Sequence, residues 1–402
     1  MSRFLPYNPE PAYLLPPSVK DELGADHLCF FIRDVVRRLD LSAFEEAYSE
    51  EGGVLYAPEL MLNVWLYGYA LGITSARLIE RRMVEDLAFR YLAGGARVDN
   101  WALADFRRRH GRGINDTFTQ VLEWARQMGW ARLGRAVIDS TRVKASACRD
   151  RVDTEQKLRN ERAKLRRQVR RWQKACERDD SEPGGLKVAI RLAEEKLAKM
   201  PRRLERLRKT GMQKLSRTDE DARFLRPRGQ SFELGYTAEI AVSDDHLILA
   251  QRVTQNATDN QWLLPLVDAV EQQCGTRPAQ VLADSGFFSV ANIEELARRG
   301  IEGYVPDSNL ARELNTGQRA VGLGRNRIRS PQLRCMRRKL RSPAGRTVYG
   351  RRKAVVEPGL GVLKQQPGMR QFRTRTLRKV GIEFTLAALA YNLTRLYYGR
   401  SR

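Results

Sequence analysis

The sequence predicts an α/β protein: a mixed sheet with a helical-hairpin insert after its first strand, preceded by an all-helical N-terminal domain. Three observations carry this. Apolar residues recur at spacings of three and four within residues 18–125. An apolar strand signal over residues 135–143 is followed by a charged, heptad-patterned stretch over 149–216. Strand and helix signals then alternate from residue 236 to residue 305. With 402 residues, 42% of them hydrophobic, the chain is long enough for about two to three domains. The boundary is placed between 125 and 126, which gives a helical domain over 1–125 and a sheet domain over 126–402 with an insertion at 149–216.

In the first part, Ala57–Leu71 and Ser75–Leu92 read as helices separated by Gly72-Ile73-Thr74, and Val98-Asp99-Asn100 caps a helix over Trp101–Arg109. Residues 135–143 form an apolar strand that ends in an acid, Asp139. In the insert, Leu186, Ile190, Ala193, Leu197, Met200, Leu204 and Leu207 alternate steps of four and three. Leu158, Leu165, Val169, Trp172 and Cys176 repeat the pattern more weakly, and Ser181 to Gly185 break the two, so an antiparallel helical hairpin is expected. Pro201 should kink or restart its second helix. Tyr236–Val242 and Leu247–Val253 read as a β-hairpin, Trp262–Gln273 and Val290–Arg299 as helices, and Ala279–Ala283 and Gly303–Val305 as strands. That order is the connectivity of a ribonuclease-H-like mixed sheet.

Charge narrows the partners. The net charge of +24 points to a polyanion, nucleic acid first. Residues 1–125 hold 14 Lys/Arg against 18 Asp/Glu, so the excess lies in the rest of the chain. The insert alone holds 22 Lys/Arg against 11 Asp/Glu, and it is expected to stand off the sheet as an exposed basic arm. The five cysteines and three histidines are scattered without metal-site spacing, so any metal would be held by oxygens, which favours Mg²⁺ or Mn²⁺. No apolar run is long enough to span a bilayer, and residues 1–17 lack the pattern of a signal peptide, so a cytoplasmic protein is expected.

Asp139 and Asp284 each follow an apolar run and precede a small residue. Neighbouring parallel strands would bring such acids together, although a strand-end Asp also serves simply to cap a turn. Glu357 is the only acid between Glu313 and Glu383, amid 19 Lys/Arg. A lone carboxylate on a surface that grips phosphate needs a cation between the two, or else is an ion-pair partner.

Tyr349-Gly-Arg-Arg352-Lys-Ala-Val-Val-Glu357, followed by Lys364, resembles the Tyr-Arg-Glu-Lys signature of bacterial insertion-sequence DDE transposases. Asp139-Ser-Thr-Arg-Val-Lys-Ala145 resembles their first-Asp motif, Ala283-Asp-Ser-Gly-Phe-Phe-Ser289 their second, and residues 47–110 their N-terminal helical domain. Four residues rather than the commoner three separate Arg352 from Glu357, so Arg351 or Lys353 could take the role of Arg352.

The resemblance implies DNA strand cleavage and strand transfer with Mg²⁺, or Mn²⁺ as a substitute, held by Asp139, Asp284 and Glu357. It implies phosphate contacts from Tyr349, Arg352 and Lys364, with Lys144 a further candidate. Double-stranded DNA, both terminal inverted repeats and target, would be the partner of a homo-oligomer at the nucleoid. The N-terminal domain would bind DNA ends or dimerise. A structure-selective nuclease of the same fold, or a transposase-derived DNA-binding protein without catalysis, are the other readings. Pro358 disfavours a helical Glu357 and suits a helix's first residue, so Glu357 is expected at the start of its helix.

Overall fold

The computed structural model describes residues 18–46, 56–177, 185–226, 231–317, 330–365 and 369–399. Its N-terminal helices are α1 (Leu28–Val36), α2 (Ser42–Glu45), α3 (Pro58–Ala70), α4 (Ala76–Glu85), α5 (Leu87–Leu92), α6 (Asn100–Arg109) and α7 (Gly111–Gln127). The expected single helix over Ser75–Leu92 is two. Asp86 takes an extended backbone between α4 and α5, and its side chain accepts from the Ala88 and Phe89 amides. Asp99 caps α6 as expected, accepting from Ala102 N at 2.7 Å.

Strand β1 (Arg135–Lys144) leads through β2 (Val152–Asp153) into a hairpin of α8 (Glu155–Cys176) and α9 (Gly185–Thr210). The Ser181–Gly184 break lies outside the described residues. Helix α9 runs through Pro201 as one helix rather than restarting there; the proline is exposed, while Met200 and Leu204 beside it are buried. Leu158, Met200, Leu204, Leu207 and Leu215 form a small core of the hairpin's own, apart from the main core. Strand β3 (Leu215–Ser216) pairs with β2 and closes the base.

The sheet continues with β4 (Arg223–Leu225), β5 (Glu233–Val242) and β6 (Ile248–Thr254). Helix α10 (Leu263–Cys274), β7 (Gln280–Ala283), α11 (Val290–Arg298), β8 (Glu302–Tyr304), α12 (Ser308–Thr316), α13 (Pro331–Arg341), α14 (Pro343–Gln365) and α15 (Leu377–Gly399) complete the described elements. The strand order is β4-β5-β1-β7-β8, with β6 also paired to β5. Strands β4, β5, β6 and β1 meet antiparallel, whereas β1, β7 and β8 run parallel. The protein is thus a mixed α/β sheet behind a helical N-terminal region.

One buried core runs from the N-terminal helices into the sheet. Helix α15 lies between them. Its Asn392 amide accepts from Ile248 N at 2.8 Å and donates to Ile248 O at 2.8 Å, extending the β6 edge. Its first half holds Glu383, fully buried, which accepts from the Arg373 and Thr374 amides.

Candidate active site

Strand β1 does not end at Asp139, as the sequence suggested, but runs five residues further to Lys144. The antiparallel partner β5 supports its whole length, from Val137 opposite Val242 to Lys144 opposite Gly235. The parallel pairing with β7 stops earlier, at Ile138 opposite Ala283. Asp139 and Asp284 are therefore each one step past the last β1–β7 pair, on strands about 4.8 Å apart. Beyond that point β7 turns away: Asp284 caps a short 3-10 turn, accepting from Gly286 N at 2.8 Å.

Helix α14 crosses this point. Arg352 Nη1 lies 3.1 Å from Asp139 Oδ2, and both side chains are largely buried. Asp139 Oδ1 accepts from Ser140 N at 2.8 Å. Burial pushes the Asp139 carboxyl above its ordinary range; the Arg352 guanidinium pulls it back, and the negative charge of Asp284 pushes it up again. Tyr349 stands one turn before Arg352, with the guanidinium carbon 5.9 Å from its ring centre. Its phenol is raised, first by burial, while Arg352 opposes and Asp284 and Asp139 add to the rise.

Asp139, Asp284, Tyr349 and Arg352 are thus brought together. Glu357 is not with them. It lies inside α14 rather than at a helix start, and Pro358 follows within the same helix. The burial of Val355, Val356, Gly359, Leu360 and Leu363 holds the helix through the proline, against the local preference at Glu357. From Arg352 at Asp139, the helix heads toward the β5–β6 turn, where His246 Nδ1 meets Val355 O at 3.0 Å. That turn adjoins the beginning of β1, so five further residues carry Glu357 about 7.5 Å away along the axis and about 140° around it. Its side chain is exposed, without an ion pair or hydrogen bond among the described residues.

Lys364 is exposed two turns beyond. Lys144 sits at the far end of β1, about 16 Å from Asp139 along the strand, and pairs with Glu233 at 2.8 Å. The two acids flanking Glu357 in sequence are committed elsewhere, Glu383 to its backbone amides and Glu313 to Arg341 at 2.8 Å. Among the described residues, no group of three or more His, Cys, Asp or Glu side chains is placed to hold a metal ion by itself.

Two further acids, not singled out from the sequence, adjoin the pair. Asp259, in the turn after β6, accepts from Ser140 Oγ at 2.9 Å. Burial raises its carboxyl, the Ser140 hydrogen bond and Arg142 lower it, and Asp284 raises it. Glu239, opposite Ser140 on β5, is wholly buried and pushed up to about 8 by burial and then by the charge of Asp259. Both carried a legible signal: an acid just after a strand, and a lone acid inside an apolar one.

Among the described residues, no helix is long and apolar enough to cross a membrane. Residues 209–393 match the family model described as Transposase DDE domain, a stretch that holds Glu239, Asp259, Asp284 and Glu357. Residues 17–109 match the model described as Transposase domain (DUF772). No curated protein and no solved structure matches the chain. Asp139 lies outside both matched stretches and is tied to them by its place beside Asp284 and Arg352. With transposase models matching two separate stretches, one over the helical region and one over most of the sheet, the chain belongs to the insertion-sequence DDE transposases.

Proposed function

We propose that the protein performs divalent-metal-dependent cleavage and strand transfer of insertion-sequence ends, with Asp139 and Asp284 at its centre. The observation that carries this is the meeting of two carboxylates past the end of a parallel strand pair, where open sheets place their ligands. The strand order, with three antiparallel strands followed by two parallel to the first, supports a ribonuclease-H-like sheet. Two like charges in a partly buried site fit a cation. Bound there, Mg²⁺ supplies an activated oxygen nucleophile and offsets charge on the leaving oxygen.

The chain's own residues do the rest. Asp139 and Asp284 would hold the metal. Arg352, which neutralises one Asp139 oxygen, and Tyr349 beside it stand where a DNA phosphate would come. Glu357 as third acid and Lys364 as a phosphate contact rest on the Tyr-Arg-Glu-Lys signature alone, and Lys144, a further candidate, on the likeness of the first-Asp motif. For Glu357 to join the two aspartates, α14 must turn or slide from the placement described above. A homo-oligomer acting on double-stranded DNA in the cytoplasm, at the nucleoid, completes the reading.

The test is a labelled duplex carrying the inverted repeats that flank the gene, incubated with Mg²⁺. Nicking at the repeat ends and joining of the new 3′-OH to a second duplex are expected. Cutting without joining would indicate a nuclease; binding without cutting would indicate a non-catalytic descendant. Glu357→Gln should keep binding and lose nicking by several orders of magnitude; near wild-type nicking would remove Glu357 from the site.

A further inference from the structure

Residues 358–382 hold six Lys/Arg and no acid. Arg370, Arg373, Arg375 and Arg378 are exposed, and none pairs with an acid among the described residues. Other surface arginines do find acids, as Arg277 finds Glu271 and Arg298 finds Glu295. The loop that carries the four is fixed from below. Phe372 is fully buried, edge-to-face with Tyr236 and Phe384. Its amide donates to Lys144 O at 2.9 Å, and Gln371 Nε2 donates to Ala145 O at 2.9 Å, which lays the loop along the far end of β1. The Arg373 and Thr374 amides donate to Glu383, that of Thr376 to Asp219 at 3.2 Å, and that of Leu377 to Asp221 at 2.9 Å. Thr376 is held at φ 77°, a left-handed conformation that a β-branched residue rarely adopts, and strain of this kind gathers at functional sites.

The acids that adjoin the loop are thus spent inward. Glu383 holds its backbone, Asp219 also accepts from Tyr236 Oη, Asp221 also pairs with Arg206 of α9, and Glu233 pairs with Lys144. Four like charges fixed side by side repel one another, and a polyanion running past them all relieves that repulsion. We propose that the loop over residues 370–378 seats the phosphate backbone of duplex DNA, independently of sequence, between the acid centre and the arm. The loop starts beside Lys144, passes Ser146, whose carbonyl accepts from Arg375 Nε at 3.1 Å, and ends at Asp219 and Asp221 by the arm's base. Cations strung along such a path suit an extended backbone better than one small anion, which needs donors that converge. Lys144 stands about 16 Å from Asp139 along β1, and a duplex advances about 3.4 Å per base pair. A duplex laid along β1 would meet the loop about five base pairs from the phosphate at the aspartates. Glu383 and Asp219 are positioning residues: they hold the loop's amides and leave the arginines to the DNA.

This rests on the reading above for DNA as the partner but not for its chemistry, so the test is run in EDTA. Binding of the full chain to a repeat-end duplex and to a duplex of unrelated sequence is followed by fluorescence anisotropy over a range of salt. The variant Arg370→Gln/Arg373→Gln/Arg378→Gln is compared with Arg277→Gln/Arg298→Gln/Arg312→Gln, which removes equal charge on the β7–β8 side. The first should lower the slope of log affinity against log salt by about 0.9 per lost contact, equally on both duplexes, with Tm unchanged. The second should leave the slope near that of wild type. Arg370→Lys/Arg373→Lys/Arg378→Lys should restore most of the slope, since charge is what the backbone reads. Wild-type binding with an unchanged slope in the first variant would overturn the seat alone. So would equal losses in both variants, since that marks net charge rather than place. Should the triple Gln variant not fold, the single changes decide: a slope lower by about 0.9 supports the seat, and no change in any of the three overturns it. If the wild type binds neither duplex, the DNA reading falls and the seat with it.

Discussion

The hairpin and the sheet treat buried acids in opposite ways. At the base of the hairpin, Asp153 is almost fully buried and both of its oxygens are taken, by Arg203 at 3.0 Å and Arg217 at 2.7 Å. Arg217 reaches on to Glu161 at 2.6 Å, Arg208 to Glu155 at 3.0 Å, and Arg206 to both Glu220 and Asp221. In the sheet, among the described residues, Asp259 and Glu239 are buried with an oxygen each left without a hydrogen bond, and the one tight cation on Asp139 is the guanidinium of Arg352. Acids whose charges are met locally hold structure together. Acids left with unmet charge are held in place by the rest of the fold, and they mark where a ligand enters.

The largest expected effect tests the sheet side of this contrast. Asp139→Asn and Asp284→Asn should each lower Mg²⁺-dependent nicking of a repeat-end duplex by several orders of magnitude, with gel-shift affinity unchanged or higher. Loss of DNA binding instead would make these acids structural, like Asp153.

Asp153→Ala should do the reverse. It takes the buried acid away from two guanidiniums, which keep Ser216 O, Glu220 and Glu161 as partners, at a cost of about 1–3 kcal/mol. Earlier hydrogen exchange and faster proteolysis within residues 149–216 are the readout, and DNA nicking in the sheet should change far less.

Glu239 gives the two regions a pH signature. Its folded value of about 8 stands above the ordinary 4.5, so the unfolded chain releases a proton that the folded chain keeps. Stability should therefore fall as pH rises from about 4.5 through 8, by an amount on the order of 5 kcal/mol. Glu239→Gln, unfolded in EDTA, should match wild type near pH 5 and exceed it near pH 8.5. An equal pH dependence in both proteins would mean that Glu239 is charged in the fold.

The smallest effect belongs to the arm. Arg166, Arg170 and Lys174 lie exposed along α8 without an acid partner among the described residues. Changing all three to Gln should reduce the slope of log affinity against log salt by up to about 0.9 per lost phosphate contact. An unchanged slope would place the DNA elsewhere.

The sequence by itself determined much of this molecule. Period-two and heptad patterns marked β1, the β5–β6 hairpin, β7 and the α8–α9 arm, because each buries one repeating set of side chains whatever surrounds it. The strand-end position of Asp284 and the Tyr349–Arg352 spacing were legible for the same reason: strand pairing and one turn of helix are local geometry.

Tertiary structure alone decided the rest. Asp139 sits in mid-strand because β5 supports β1 beyond the point where β7 leaves it, a choice made by a partner about a hundred residues away. Local chemistry put Glu357 at a helix start, yet five buried apolar and glycine positions on α14 override Pro358 and turn the acid outward. Asp259 joins Asp284 only because Ser140 and Gly286, far apart in sequence, leave room for both carboxylates at one point. Periodicity records what one segment buries, but which acids face each other depends on how segments pack, and that belongs to the whole chain.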